Sequence, residues 1–282
     1  VVDFIKFIFF ATLILLASAP RAEELAEGVM RPELLPRVFS GDETMHFAVS
    51  WTGGIRIGDL DLEQRPDTVG GFAIHARVSN FGALRMFYPV DDTFVTYVRG
   101  DRMLPYRYEV VQREGWRGRE TRRLTRYDQH GLTVNYRKNE EAEQVISIAG
   151  PVYNEFSSFY ITRVMDLVPG GAFMVPTFAD RKRNEVKVLV RGREVLDTPY
   201  GRVATVQVMP IMKFKGLYDK AGDTVIWLTD DACRVPIKIN SKIAIGSLTA
   251  TLDGYHNPAC ENYRLQRPPP LQPVQPQPVG PQ

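Results

Sequence analysis

The chain has 282 residues, of which 44% are hydrophobic and 24% charged, with a formal net charge of +2. That composition allows a sizeable core and suits one large β domain or two small ones. A charge so near zero gives no argument for nucleic acid or another acidic polymer as partner.

Lys6 follows a short start, and Phe7 to Ala19 is an uncharged apolar run. Small residues follow at Ala17, Ser18, Ala19 and Ala22. This is the n-region, h-region and cleavage zone of a signal peptide, expected to occupy residues 1–22. The run is shorter than the ~20 residues a bilayer-crossing helix needs; an uncleaved anchor is the alternative. No other run is long and apolar enough to span. The mature chain is therefore expected to be exported and periplasmic. Residues 23–37 are polar, with Pro32 and Pro36, and read as a loose lead-in.

From Phe39 to Trp51 the pattern alternates. Met45, Phe47, Val49 and Trp51 fall on one face; Thr44, His46, Ala48 and Ser50 fall on the other. After Thr52-Gly53-Gly54 the alternation resumes through Ile55, Ile57, Leu60 and Leu62, with Gly58 marking a bulge or bend. Phe72 to Val78 is a third strand. Phe81 to Tyr88 fits either a short helix or a loop. Strands follow at Asp91 to Arg99, Tyr106 to Arg113, Arg117 to Tyr127 and Leu132 to Tyr136.

Val152 to Leu167 is the one good helix. It carries Phe156, Phe159, Tyr160, Val164 and Leu167 at helical spacing, with Asn154 as cap and Pro169-Gly170-Gly171 as stop. It joins two strand-rich halves of a β domain expected over residues 38–260. The second half has strands at Phe173 to Pro176 and Glu185 to Val190, then a strand-and-turn run from Gly192 to Leu252. Apolar alternation there is read at Val203 to Val208, at Val225 and Trp227, and at Ile237 and Ile239. The turns are Asp197 to Gly201, Asp219 to Gly222 and Asp230-Asp231. Residues 261–282 read as a disordered tail rich in Pro and Gln.

Two cysteines, Cys233 and Cys260, are expected to pair in an oxidising compartment. Gly246-Ser247 reads as a two-residue hairpin turn. Counting outward from it sets Ile245 opposite Leu248 and Cys233 opposite Cys260. A redox role would favour closer spacing, as in C-x-x-C.

Nucleophile-elbow, metalloprotease, phosphate-loop and dinucleotide motifs are absent from the sequence. His46, His75, His130 and His256 are scattered, without zinc spacing. His46 and His75 fall on polar strand faces, where a solvated histidine is the ordinary outcome. Asp59 and Asp61 share a face in a regular strand. No metal and no cofactor is expected. The unusual local composition is Arg113 to Arg126. There Arg117, Arg119 and Arg123 share a strand face, and Trp116 marks the turn. Arginine forks suit phosphate and carboxylate, so Trp116, Arg117, Arg119 and Arg123 are candidate contacts to an anionic envelope surface. The competing reading is a charged strand protected from edge pairing. Phe47, Trp51, Phe72, Phe94, Tyr106 and Trp227 are read as core, part of which could line an apolar hollow.

The order of several short pieces resembles an exported bacterial family, domain-of-unknown-function family 3108. One piece is Gly41-Asp42-Glu43 leading into Phe47-x-Val49-x-Trp51 and Gly58. Another is Asn154 to Arg163, with Ser157, Ser158, Tyr160 and Arg163. The last is Gly192-Arg193-Glu194, Thr198-Pro199-x-Gly201, Ile226-Trp227-Leu228-Thr229-x-Asp231 and Arg234-x-Pro236. Asn154 stands where the family pattern has Asp, which removes a charge role from that position. The resemblance implies an exported, mainly antiparallel β protein and brings no activity. The second half is similar, more loosely, to periplasmic lipoprotein-carrier proteins, whose fold is a curved, incomplete barrel.

The expected architecture is thus mainly β: a curved antiparallel sheet or incomplete barrel with one central helix. The leading functional expectation is non-enzymatic. It is a carrier or scaffold for an apolar or amphiphilic envelope component, such as a lipid. The alternatives are a structural partner of an envelope protein, and a hydrolase whose site is assembled from distant residues.

Overall fold

Period-two hydrophobicity commits most of the chain to strands. The computed structural model describes residues 25–115, 119–211, 224–243 and 246–265. It arranges the strands in one antiparallel sheet of 14. A 3-10 turn (Pro32–Leu34) and α1 (Leu35–Val38) come first. Then follow β1 (Glu43–Trp51), β2 (Ile55–Pro66), β3 (Phe72–Asn80), α2 (Gly82–Phe87), β4 (Asp91–Arg99) and β5 (Leu104–Glu114). β6 (Arg119–Asp128), β7 (Thr133–Lys138) and β8 (Gln144–Ser147) complete the first meander. Helix α3 (Glu155–Arg163) separates it from β9 (Ala172–Ala179), β10 (Lys182–Thr198), β11 (Gly201–Ile211), β12 (Thr224–Thr229), β13 (Pro236–Lys242) and β14 (Ser247–His256). A last 3-10 segment is Pro258–Tyr263.

Each strand pairs with its neighbours in sequence, except that β1 also pairs with β14 and joins the two meanders. The edges, β8 and β9, are not paired with one another. The sheet curls around α3 far enough that Tyr127 of β6 and Phe178 of β9 meet edge to face at 5.8 Å. The concave face is filled. Phe47, Ile74, Phe94, Val206, Leu228 and Leu252 are buried there with Phe156, Tyr160 and Ile161 of the helix. Phe156 packs against Phe94 at 5.2 Å, and Tyr160 against Phe39 at 5.8 Å.

Helix α3 is shorter than its periodicity predicts. Asn154 caps it as expected: its side chain accepts from Ser157 N, and Ser157 Oγ accepts from Asn154 N. Asn154 also donates to Thr96 Oγ1 at 2.9 Å, so the buried amide is satisfied without a charge. Ahead of the cap, Val152 and Tyr153 are extended, and Tyr153 bridges Thr177 at the β9 edge. Beyond the helix, Met165 bridges Met30.

The lead-in is not loose. Glu27 pairs with Met174 of β9, Arg31 N donates to Val164 O at 2.8 Å, and Leu34 is buried. Residues 261–265 are held by the fold, since Leu265 exchanges backbone hydrogen bonds of 2.9 Å with Tyr255; the rest of the expected tail, 266–282, lies outside the described residues.

Bulges correct several face assignments. Next to Gly58, Val49 pairs with Gly58 but Ser50 with Arg56, leaving Ile57 extra. The expected bend is present, and a Cβ at Gly58 would collide with the Ser79 carbonyl. In β5, Tyr97 pairs with Arg107 and Val98 with Pro105, so Tyr106 is unpaired. Its ring lies against Tyr97 at 5.9 Å on the convex face, not in the core. In β12, Ile226 and Leu228 point inward. Trp227 is outside, under Lys238 and hydrogen-bonded to Glu194. Trp51 is 41% exposed at the rim. Of the six aromatics assigned to the core, Phe47 and Phe94 are fully buried there, and Phe72 packs against it.

Cys233 and Cys260 are bridged, with Cα atoms 5.9 Å apart. The hairpin count that suggested the pair is not the reason. Ser247 pairs with Lys242, so it belongs to the strand, and Ile245 lies outside the described residues. Cys233 sits in the β12–β13 turn and Cys260 in the last 3-10 segment. The Asp219 to Gly222 turn also lies outside the described residues.

Candidate functional site

Three places gather chemistry: a buried ion pair, a histidine–carboxylate cluster on the convex face, and an apolar cleft at one end of the sheet.

Glu43, the first residue of β1, points inward. Arg163, the last residue of α3, meets it as a two-pronged pair at 2.7 Å for each bond. Both side chains are 0% exposed. Tyr255 donates to Glu43 Oε1 at 2.9 Å and Asn257 at 3.2 Å. Arg163 also donates to the carbonyl of Arg234 at 3.0 Å, one residue past the disulfide. Burial opposes the Arg163 charge, and the Glu43 carboxylate outweighs it, so its pKa is raised. Burial and then Glu43 push the phenols of Tyr160 and Tyr255 upward. The network holds α3 to β1, β14 and the disulfide-bearing turn. Its ion pair is fully enclosed and acts as a structural clamp.

His46 lies three residues on, with its side chain on the convex face. It is 6% exposed, not solvated as the polar-face pattern predicts. Its Nδ1 is 2.6 Å from Asp61. Its Nε2 faces Asp253 at 3.4 Å and Asp59 at 3.6 Å. Arg56 closes the group, 2.7 Å from Asp59. Asp59 and Asp61 do share a face. Asp253 joins them because His46 pairs with Gly254 while Phe47 pairs with Leu252, which leaves Asp253 as the bulged residue. A general base needs a ring nitrogen open to its substrate. Here both nitrogens face carboxylates. Among the described residues no cluster has the make-up of a metal site.

The cleft opens where the lead-in crosses the β2–β3 and β4–β5 turns. Its volume is about 620 Å³. Met30, Pro32, Leu35, Phe72 and Met103 line it, with Asp101 at its polar side and Gly70, Gly71 and Gly100 in the turns. Gly71 is required: its φ is +137°, and a Cβ there would strike the Val98 carbonyl. The cleft was not legible beforehand, because Met30, Pro32 and Leu35 of its wall come from the segment read as loose.

The arginine-rich strand is not part of the cleft. Trp116 and Arg117 lie outside the described residues. Arg119 opens β6 opposite Glu114, and Arg123 pairs with Val110. Arg123 is half-buried and donates to Gln112 at 2.5 Å. It also draws down the pKa of Glu155, although burial raises that carboxyl overall. Arg123 thus has a partner within the fold. Arg113 and Arg122 both pair with Glu120, and Arg126 with Glu143.

An open, curled antiparallel sheet around one helix defines a β-barrel-like protein. The family model described as "Protein of unknown function (DUF3108)" matches residues 46–253, and the chain belongs to that family. A β-barrel-like protein of domain of unknown function DUF1849 from Brucella abortus is similar in structure. The TM-score is 0.52 at 8% identity, over 77% of this chain and 97% of that one. At that identity the likeness is one of fold. No functionally curated protein matches.

Proposed function

We propose that this is an exported, periplasmic binding protein, released from residues 1–22, that takes up an apolar or amphiphilic envelope component without transforming it. The observation that carries the reading is the open cleft of about 620 Å³ with its methionine, leucine and phenylalanine wall. Small-molecule sites commonly measure about 300–1,000 Å³ and are mostly apolar. Methionine suits such a wall because its unbranched side chain repacks around ligands of differing shape. The concave face is already occupied by α3, so the ligand is placed at the mouth rather than inside the sheet.

A fluorescent long-chain fatty acid tests this. Saturable binding is expected, weakened tenfold or more by Met103→Glu, because burying a side chain of this size is worth about 1.5–3 kcal/mol. Absent binding, or equal binding by the variant, would remove the cleft from the account. A head-group role for the basic set Trp116, Arg117, Arg119 and Arg123 is a separate proposal. Arg119→Glu combined with Arg123→Glu is expected to leave cleft binding unchanged.

The hydrolase reading has one observation in its favour, the His46–Asp61 contact. Ester-hydrolysis activity abolished by His46→Gln in a variant that still folds would restore it.

A further inference from the structure

At the opposite end of β3 and β4 from the cleft, the chain displays an apolar surface that its own core does not use. Every residue from Phe81 to Tyr88 is exposed. Helix α2 has no buried residue, with Met86 67% and Phe87 74% accessible. The β1–β2 turn adds Trp51 and Ile55, also exposed. The two pieces are joined: Phe81 N donates to Ile57 O at 3.0 Å, and Arg56 lies over the Phe81 ring at 5.7 Å.

Polar bonds, not burial, fix this segment. The Asn80 side chain donates to Tyr88 O at 2.7 Å and accepts from Val90 N at 2.9 Å. Arg85 donates to Asn80 O at 3.1 Å. The loop is thereby pre-shaped with its apolar side chains outward, which lowers the ordering cost of binding.

Its chemistry selects the partner. Residues 51–58 and 80–90 contain no Asp or Glu; Arg56 is paired with Asp59 and Tyr88 donates to Glu114, which leaves Arg85 as the exposed cation of this surface. Trp, Tyr and Phe beside aliphatic residues and arginine are what a membrane–water interface accommodates. We propose that this end of the protein docks onto the surface of a bilayer containing anionic lipid. Met86 and Phe87 enter the acyl boundary, and Arg85 sits among the phosphates. Strands of nine residues place this surface roughly 30 Å from the cleft, so docking does not depend on the cleft reading.

Vesicle co-sedimentation of the chain from residue 23 onward tests it. Phosphatidylethanolamine vesicles with and without phosphatidylglycerol serve as probes. Wild type is expected to sediment with the anionic vesicles and to lose that binding as salt rises. Arg85→Ala is expected to weaken it about fivefold, from about 1 kcal/mol per basic residue near an anionic surface. Met86→Asp with Phe87→Asp is expected to weaken it tenfold or more. Both side chains are exposed, so the double variant is expected to melt with wild type, which separates lost docking from lost fold. Wild type that stays in solution with both vesicle types would overturn the proposal, as would a double variant that still sediments. Self-association abolished by the same pair, without vesicle binding, would assign the surface to a second copy instead.

Discussion

Strand β1 carries two charged clusters on its opposite faces, built on different rules. Inside, Glu43 and Arg163 are matched one to one, both fully buried, with Tyr255 and Asn257 completing the carboxylate. Outside, His46 and Arg56 stand among Asp59, Asp61 and Asp253, an excess of carboxylate that only partial exposure tolerates. One device serves both. The bulge at Asp253 sends that carboxylate outward to His46 and lets Leu252 and Tyr255 both face inward. The interior cluster is fully buried, whereas the exterior one reaches solvent through Asp61 and Arg56, 42% and 37% exposed. Neither cluster forms the apolar cleft, which lies at one end of the sheet and carries the proposed binding.

The largest expected effect breaks the inner cluster. Arg163→Met strands a buried carboxylate and is expected to cost about 3–5 kcal/mol in urea unfolding. Adding Glu43→Gln should recover part of the loss. Removing the bridge with Cys233→Ser and Cys260→Ser opens a loop of 27 residues' separation, expected to cost about 3–4 kcal/mol by the same measurement. His46→Ala leaves the three aspartates facing one another across the strands, at an expected cost of about 1–3 kcal/mol. Salt separates the clusters. Raising ionic strength should restore much of the His46→Ala loss and little of the Arg163→Met loss, because buried charges are screened far less.

A smaller effect comes from Glu155 at the first turn of α3. Burial raises its carboxyl from the ordinary value of 4.5. The folded state then holds this proton more tightly than the unfolded state does. Its contribution to stability is lost as pH rises from 4.5 through the folded value. Glu155→Gln should therefore gain on wild type in paired melts on going from pH 4 to pH 8. A constant difference between the two proteins would assign the side chain to solvent.

Much of this was legible in the sequence, because it depends on local chemistry. Alternation located β1, β3 and β4, Asn154 announced the helix cap, and Gly58 announced a bulge. The cysteine pair followed from compartment chemistry, although its hairpin register did not hold. What was not legible depends on tertiary placement. Periodicity assumes unbroken alternation, so it could not see the bulges that turn Tyr106 and Asp253 outward. Nor could a segment with two prolines reveal that Leu34 is core and that Met30 and Leu35 line a cleft. Glu43 stood out only as part of the Gly41-Asp42-Glu43 piece of the family resemblance. Nothing local says that its partner lies 120 residues away.

The most direct test of the central claim is native mass spectrometry on the chain produced with export, wild type and Met103→Glu side by side. A bound mass is expected on wild type that is lost on denaturation, extracts into organic solvent, and is diminished on the variant. A bare chain mass for both proteins, or the same adduct on both, would contradict it.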